Sequence, residues 1–135
     1  MVPNERKKVL YVEDNPVNLA LVQAIFDARP HVHLMTATNG CIGLKQAREH
    51  RPDLILLDQN LPDMSGAEYL RQLRATGPLA NIPVLIVSGD LPHENDATFL
   101  KLGVVDFLSK PFDIDCFEML VDRYLGIAAN PQTEI

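Results

Sequence analysis

Lys8-Val9-Leu10-Tyr11-Val12-Glu13-Asp14-Asn15-Pro16 is a short aliphatic run that stops at two acids and a proline. Residues 8–12 have the length and side-chain character of a buried strand. Just beyond, residues 17–28 place Val17, Leu21, Ala24, Ile25 and Ala28 at helical spacing, the inner stripe of a helix packed on a sheet. The unit is strand, acidic turn, helix, and it recurs. Further strand-length runs lie at 32–37, 53–57, 83–87 and 104–108. Asn39 precedes a helix over 40–50, Ser65 one over 66–75, and a fourth starts near His93 and stops at Gly103. Ile114, Phe117, Val121 and Tyr124 mark a fifth over 113–125. Such alternation calls for a parallel sheet with right-handed crossovers and helices on both faces. After Leu125 periodicity ends and Pro131 intervenes, so 1–125 reads as one domain and 126–135 as a tail.

Composition narrows the class. The chain has 135 residues, 47% hydrophobic and 22% charged, which suits one globular domain and disfavours disorder. The apolar runs at 54–57 and 84–87 fall far short of the roughly 20 residues of a membrane span. Arg6, Lys7 and Lys8 are followed by only a brief apolar stretch before the acids, so no signal-peptide core exists and a cytoplasmic setting is expected. Cys41 and Cys116 have no paired spacing; they read as free thiols in a reducing compartment. Twelve basic against eighteen acidic side chains give a net charge of −6, the wrong sign for gripping a phosphate backbone, and no basic stripe compensates. The four histidines lack metal-ligand spacing with one another. Met35, Met64 and Met119 read as core or gap-filling residues.

In an open α/β sheet, ligands bind beyond the carboxyl ends of the strands. The first run ends in Glu13 and Asp14, the third in Asp58, the fourth in Ser88, and the fifth is followed by Ser109 and Lys110. Taken singly these have plain readings. Acids can cap a helix, a lysine can be solvated, and Ser88-Gly89-Asp90 can be a turn. Together they deliver three carboxylates, a hydroxyl and an ammonium to one rim. Crowded carboxylates repel unless a cation neutralises them, and Mg²⁺, which takes oxygen ligands and keeps several waters, suits the group. A carboxylate between Mg²⁺ and Lys110 is equipped to attack phosphorus and become an aspartyl phosphate.

Val12-Glu13-Asp14-Asn15, Leu57-Asp58 with Pro62, Met64 and Gly66, Ser88-Gly89, and Lys110-Pro111-Phe112, in this order on these strand ends, resemble the receiver domain of two-component response regulators. The resemblance runs from about Lys8 to Leu125. It implies a doubly wound, flavodoxin-like five-stranded parallel sheet of strand order 2-1-3-4-5. It implies that Asp58 is the phosphoacceptor, that Asp14 and Asp58 bind Mg²⁺ directly, that Glu13 does so through water, and that the Asn60 backbone carbonyl completes the set. Lys110 then pairs with phosphoryl oxygens, and Ser88 is the hydroxyl that moves to the phosphate. Phe107 takes the aromatic switch position, as Phe rather than the frequent Tyr. Gly89 is small, as phosphate access demands, and a cis Lys110-Pro111 bond is expected. Gln59 and Leu61 depart mildly from the pattern. Asn60 and Asp90 stand where polar groups position water, which points to a short-lived phosphoprotein.

The implied partners are a histidine kinase or histidine phosphotransfer protein. Leu19, Val22 and Phe26, on a second face of the first helix, are the expected docking stripe, and the fourth helix, fifth strand and fifth helix the output face. Such a protein catalyses its own modification and turns over no metabolite. The competing readings are a Mg²⁺-dependent aspartyl-phosphate phosphatase or phosphotransferase, a flavin carrier, and a phosphorylation-independent interaction module. The first normally has an acid where Asn60 stands; the second needs a Ser/Thr/Gly-rich loop where Glu13-Asp14-Asn15-Pro16 stands. Retention of the acids, Ser88 and Lys110 speaks against the third.

Overall fold

The computed structural model describes residues 6–89 and 97–126. Five strands, β1 (Lys7–Val12), β2 (Val32–Ala37), β3 (Leu54–Leu57), β4 (Val84–Ser88) and β5 (Val104–Ser109), form one parallel sheet in the order β2-β1-β3-β4-β5. The helices are α1 (Pro16–Asp27), α2 (Gly40–His50), α3 (Gly66–Arg74), α4 (Ala97–Lys101) and α5 (Ile114–Leu125). The expected strands and helices are all present within a residue or two, apart from the start near His93, which lies outside the described residues. A short 3₁₀ turn, Gly77–Leu79, was not foreseen. No helix among the described residues is long and apolar enough to cross a membrane.

Because side chains alternate across a strand, each central strand feeds two cores. Val9, Tyr11, Leu54, Leu56, Leu85 and Val87 meet α1 and α5 on one face. Leu10, Val12, Ile55, Leu57, Val84 and Ile86 meet α2, α3 and α4 on the other. At roughly 25 cal/mol per Å² of apolar surface, this double coverage is the main stabilising term and explains why the central runs carry no polar alternation.

One expectation is overturned at α1. Val22 and Phe26 are buried and Leu19 packs half-buried on the same core, whereas Val17 is 74% exposed and Leu21 38%. The stripe expected to dock a partner is buried, and of the stripe expected to face the sheet only Ile25 joins it there. Phe26 decides the phase: its ring meets Phe117 of α5 edge-on at 5.9 Å. Of the alternative stripe only Ile25 reaches the core; Val17, Leu21, Ala24 and Ala28 stay exposed. Met119 likewise departs from expectation, standing more than half exposed on α5, while Met35 is buried as foreseen.

Local signals set the remaining boundaries. The Asn15 side chain accepts from Val17 N and Asn18 N, with Pro16 opening the helix. Asn39, Ser65 and Asp113 cap α2, α3 and α5 in the same way. Gly103, at φ +80, takes the left-handed conformation that ends α4. Beside it the Arg74 guanidinium donates to the carbonyls of Leu102 (2.7 Å), Ile82 (2.7 Å), Ala80 (3.2 Å) and Gly103 (3.2 Å), tying α3 to the entries of β4 and β5.

Candidate functional site

The parallel ladder runs past the strand ends and carries the polar side chains with it. Glu13 N donates to Ala37 O (2.9 Å), Asp58 N to Val12 O (3.1 Å) and Lys110 N to Ser88 O (3.1 Å). These bonds hold the successors of β1, β3 and β5 in register at one rim. Carboxylate oxygens of Glu13, Asp14 and Asp58 there lie within 4.8 Å of one another. Glu13 and Asp58 are buried and Asp14 is exposed, so the cluster opens to solvent on Asp14's side.

Glu13, 1% exposed, is wrapped in donors. Its Oε1 accepts from the Tyr11 hydroxyl (2.9 Å), the Asn18 amide (3.4 Å) and the Lys110 ammonium; its Oε2 accepts from Asn15 N (3.1 Å). Burial pushes this carboxyl up, but the hydrogen bonds from Lys110, Asn15 and Tyr11 outweigh it and hold Glu13 below the usual glutamate range. Asp58 is served differently. Ser88 Oγ donates to its Oδ1 at 2.9 Å, Asn60 N stands 3.5 Å from the same oxygen, and Lys110 Nζ is 3.7 Å from Oδ2. Burial and the neighbouring Glu13 charge push Asp58 up, and Ser88 and Lys110 offset this only in part. Burial, reinforced by Glu13, also raises the Tyr11 phenol, which stays protonated and donates.

The loop after β3 is closed on itself. Gly66 N donates to Gln59 O (2.8 Å), Asn60 bridges to Ser65, and a Cβ at Gly66 would stand 3.1 Å from Gln59 Cα, so a residue without a side chain lets the loop fold back. Asp63 pins the far end by accepting from Gly40 N (2.7 Å) and Cys41 N (2.9 Å) at the start of α2. Those bonds hold its carboxyl below the usual range despite some desolvation. Asn60 is thereby fixed beside Asp58.

The sequence thus anticipates the residues that meet: Glu13, Asp14, Asp58, Asn60, Ser88 and Lys110. The Lys110-Pro111 bond is cis. Phe107 lies half-buried on β5 with its ring edge-on to Phe99 of α4, 6.3 Å away. Gly89 is exposed, with open space where a Cβ would stand. Asp90 lies outside the described residues. Tyr11 and Asn18 were missed as site residues. The available signal was Tyr-x-Glu, since positions two apart share a strand face.

Oxygen donors alone, three acids against one ammonium, and an opening to solvent are what a hard divalent cation requires. The residues fit Mg²⁺. A family model described as "Response regulator receiver domain" matches residues 9–122. The chain belongs to the response regulator receiver family. The receiver is 36% identical over 122 residues to the polar-differentiation response regulator DivK of Brucella anthropi, covering 90% of this chain and 98% of that protein. The DivK of Brucella ovis is 34% identical over the same length. Among solved structures, the receiver domain of the sensor histidine kinase PA1611 of Pseudomonas aeruginosa, with a magnesium ion coordinated in its active-site cleft, superposes with a TM-score of 0.79 at 26% identity, over 90% of this chain and 98% of that one. The chemotaxis response regulator CheY4 of Vibrio cholerae gives 0.80 at 25% identity, over 88% and 98%.

Proposed function

We propose that this receiver takes a phosphoryl group from a histidine of a kinase or phosphotransfer protein onto Asp58, in a Mg²⁺-dependent reaction, and changes its partner surface as a result. The single observation that carries this reading is the setting of Asp58 between Ser88 at 2.9 Å and Lys110 at 3.7 Å, with Glu13 and Asp14 closing a three-carboxylate cluster. An Asp58 oxygen attacks phosphorus as the P–N bond of the donor breaks, and the bonding pair returns to the imidazole nitrogen. Mg²⁺, held by Asp14, Asp58 and the Asn60 carbonyl with Glu13 through water, would neutralise the charge gathering on the equatorial oxygens. Lys110 moves toward the same oxygens, and Ser88, already bonded to Asp58, follows to the phosphoryl group. That shift vacates space near α4, into which Phe107 turns from its place against Phe99. The altered face is α4, β5 and α5.

Val17, two residues past the Asn15 cap, and Leu21, one turn further along, are exposed apolar residues of α1 and take the place of the buried stripe as the donor's contact. Asn60 beside Asp58 favours water attack and a short phosphoryl lifetime. The free thiols Cys41 and Cys116 and the acidic balance suit a domain working in the cytoplasm without direct nucleic-acid contact.

The test is intact mass after incubation with acetyl phosphate, with and without Mg²⁺, alongside Asp58→Asn. The expected result is a hydroxylamine-labile gain of one phosphoryl group that requires Mg²⁺ and is absent in the variant. No adduct, together with failure to bind a beryllofluoride mimic, overturns the reading in favour of a phosphorylation-independent interaction module.

A further inference from the structure

Tyr11 carries a hydroxyl for which a strand covered on both faces has no packing use. The residue is fully buried, and a buried phenol needs a partner. Its partner is Oε1 of Glu13, two residues along the same strand face, so the hydroxyl reaches the acid from the core side rather than from the rim. The same oxygen is also the acceptor for Lys110 and, at 3.4 Å, for Asn18. A carboxylate oxygen offers about two lone-pair sites. Three donors on one oxygen therefore compete. Lys110 in turn is shared between Glu13, which it touches, and Asp58, which it faces across 3.7 Å.

Resting on the phosphoacceptor reading above, we infer that Tyr11 is a positioning residue: by occupying Glu13 Oε1 with a neutral donor it loosens Glu13's grip on Lys110 and leaves the ammonium able to move to a phosphoryl group on Asp58. An aliphatic residue at position 11 would fill the core as well but would leave Lys110 the principal donor to that oxygen of a buried carboxylate, and so anchored away from the nucleophile. The hydroxyl sets how the lysine is divided between the two acids.

Tyr11→Phe keeps the ring and removes the hydroxyl. At saturating Mg²⁺ its labelling by acetyl phosphate is expected to slow roughly fivefold, the scale of one ordinary hydrogen bond, with the adduct still on Asp58. In a Glu13→Gln background the same substitution is expected to change the rate little, because the charge that competes for Lys110 is gone. A second readout needs neither metal nor phosphodonor. In a urea-midpoint cycle on the metal-free chain, Lys110→Met costs more in the Tyr11→Phe background than in the wild type, since two donors to one oxygen compensate for each other. Equal labelling rates for the wild type and Tyr11→Phe, an equal loss in the Glu13→Gln background, or additive midpoints overturn the inference. If the wild-type chain takes no phosphoryl group at all, the phosphoacceptor reading falls with the rate arm, and the metal-free cycle alone decides whether Tyr11 and Lys110 compete for Glu13.

Discussion

Glu13 and Asp58 are neighbouring carboxylates whose surroundings push them in opposite directions. Glu13 is held below the usual glutamate range by its donors against the pull of burial; Asp58 is raised by burial and by Glu13. The consequences for stability have opposite signs. The raised Asp58 binds its proton more readily in the folded chain, so its destabilising charge is absent in acid and sets in as pH rises past the ordinary aspartate range. Asp58→Asn is therefore expected to raise the urea midpoint of the metal-free chain near pH 7, with the gain shrinking toward about pH 4. Glu13 contributes stability that is present above the ordinary glutamate range and lost as pH falls through its lowered value. Glu13→Gln is expected to cost about 2–3 kcal/mol near pH 7, because Lys110 loses a buried partner, with the gap closing in acid. A midpoint for Asp58→Asn below wild type at neutral pH would contradict this balance. At this scale the acids, Ser88 and Lys110 are legible in the sequence because each follows an aliphatic run and so must stand at a strand's carboxyl end. Tyr11 is not, because an aromatic inside such a run reads as core until its hydroxyl is seen to have a partner.

Elements were legible wherever local chemistry fixed them. Asn39 and Ser65 cap α2 and α3, and Gly103 stops α4, as the sequence indicates. The facing of α1 was not, because both of its stripes are apolar and the choice is made by a contact in space, Phe26 on Phe117. The clasp of Asp63 on the first turn of α2 was also hidden, since its partners lie 23 and 22 residues away in sequence. Arg74 is the strongest case. Its guanidinium serves carbonyls of the β4 entry and of the α4–β5 turn, and burial alone pulls its pKa down, which its charge-assisted bonds must offset. Nothing in the run Arg71-Gln72-Leu73-Arg74 distinguishes it from a solvated helix-end arginine. Arg74→Met keeps the stem and strips the donors, leaving carbonyls unserved; a loss of about 2–3 kcal/mol in urea unfolding is expected. Arg74→Lys, with one of the fork's several directions, should recover only part of it. Full recovery by Lys would mean that charge, rather than the fork geometry, is what the junction uses.

The whole molecule concentrates repulsion at one rim. Three of its five strands end in or lead to a carboxylate or the lysine of the site, and the chain already carries a net charge of −6. A sheet buried on both faces sets apolar stabilisation against three acids around one ammonium, and the chain is expected to fold without a cation even though the site invites one. Folding and ion binding are then linked: a cation that binds only the folded chain adds RT ln(1 + [L]/Kd), about 1.4 kcal/mol at ten times its dissociation constant. For a domain of this size that corresponds to a rise in melting temperature of roughly 3–6 °C. The rise should be seen with Mg²⁺ and not with NaCl of matched ionic strength, because charges within 4.8 Å in a largely buried cluster are poorly screened by mobile salt. Asp14→Asn, which removes the exposed acid while leaving Glu13, Asp58 and Lys110 paired as they are, should lose most of the increment yet fold with a metal-free midpoint near wild type. An equal Mg²⁺ increment in that variant would mean that the ion acts elsewhere on the acidic surface, and the carboxylate cluster would lose its standing as the metal site.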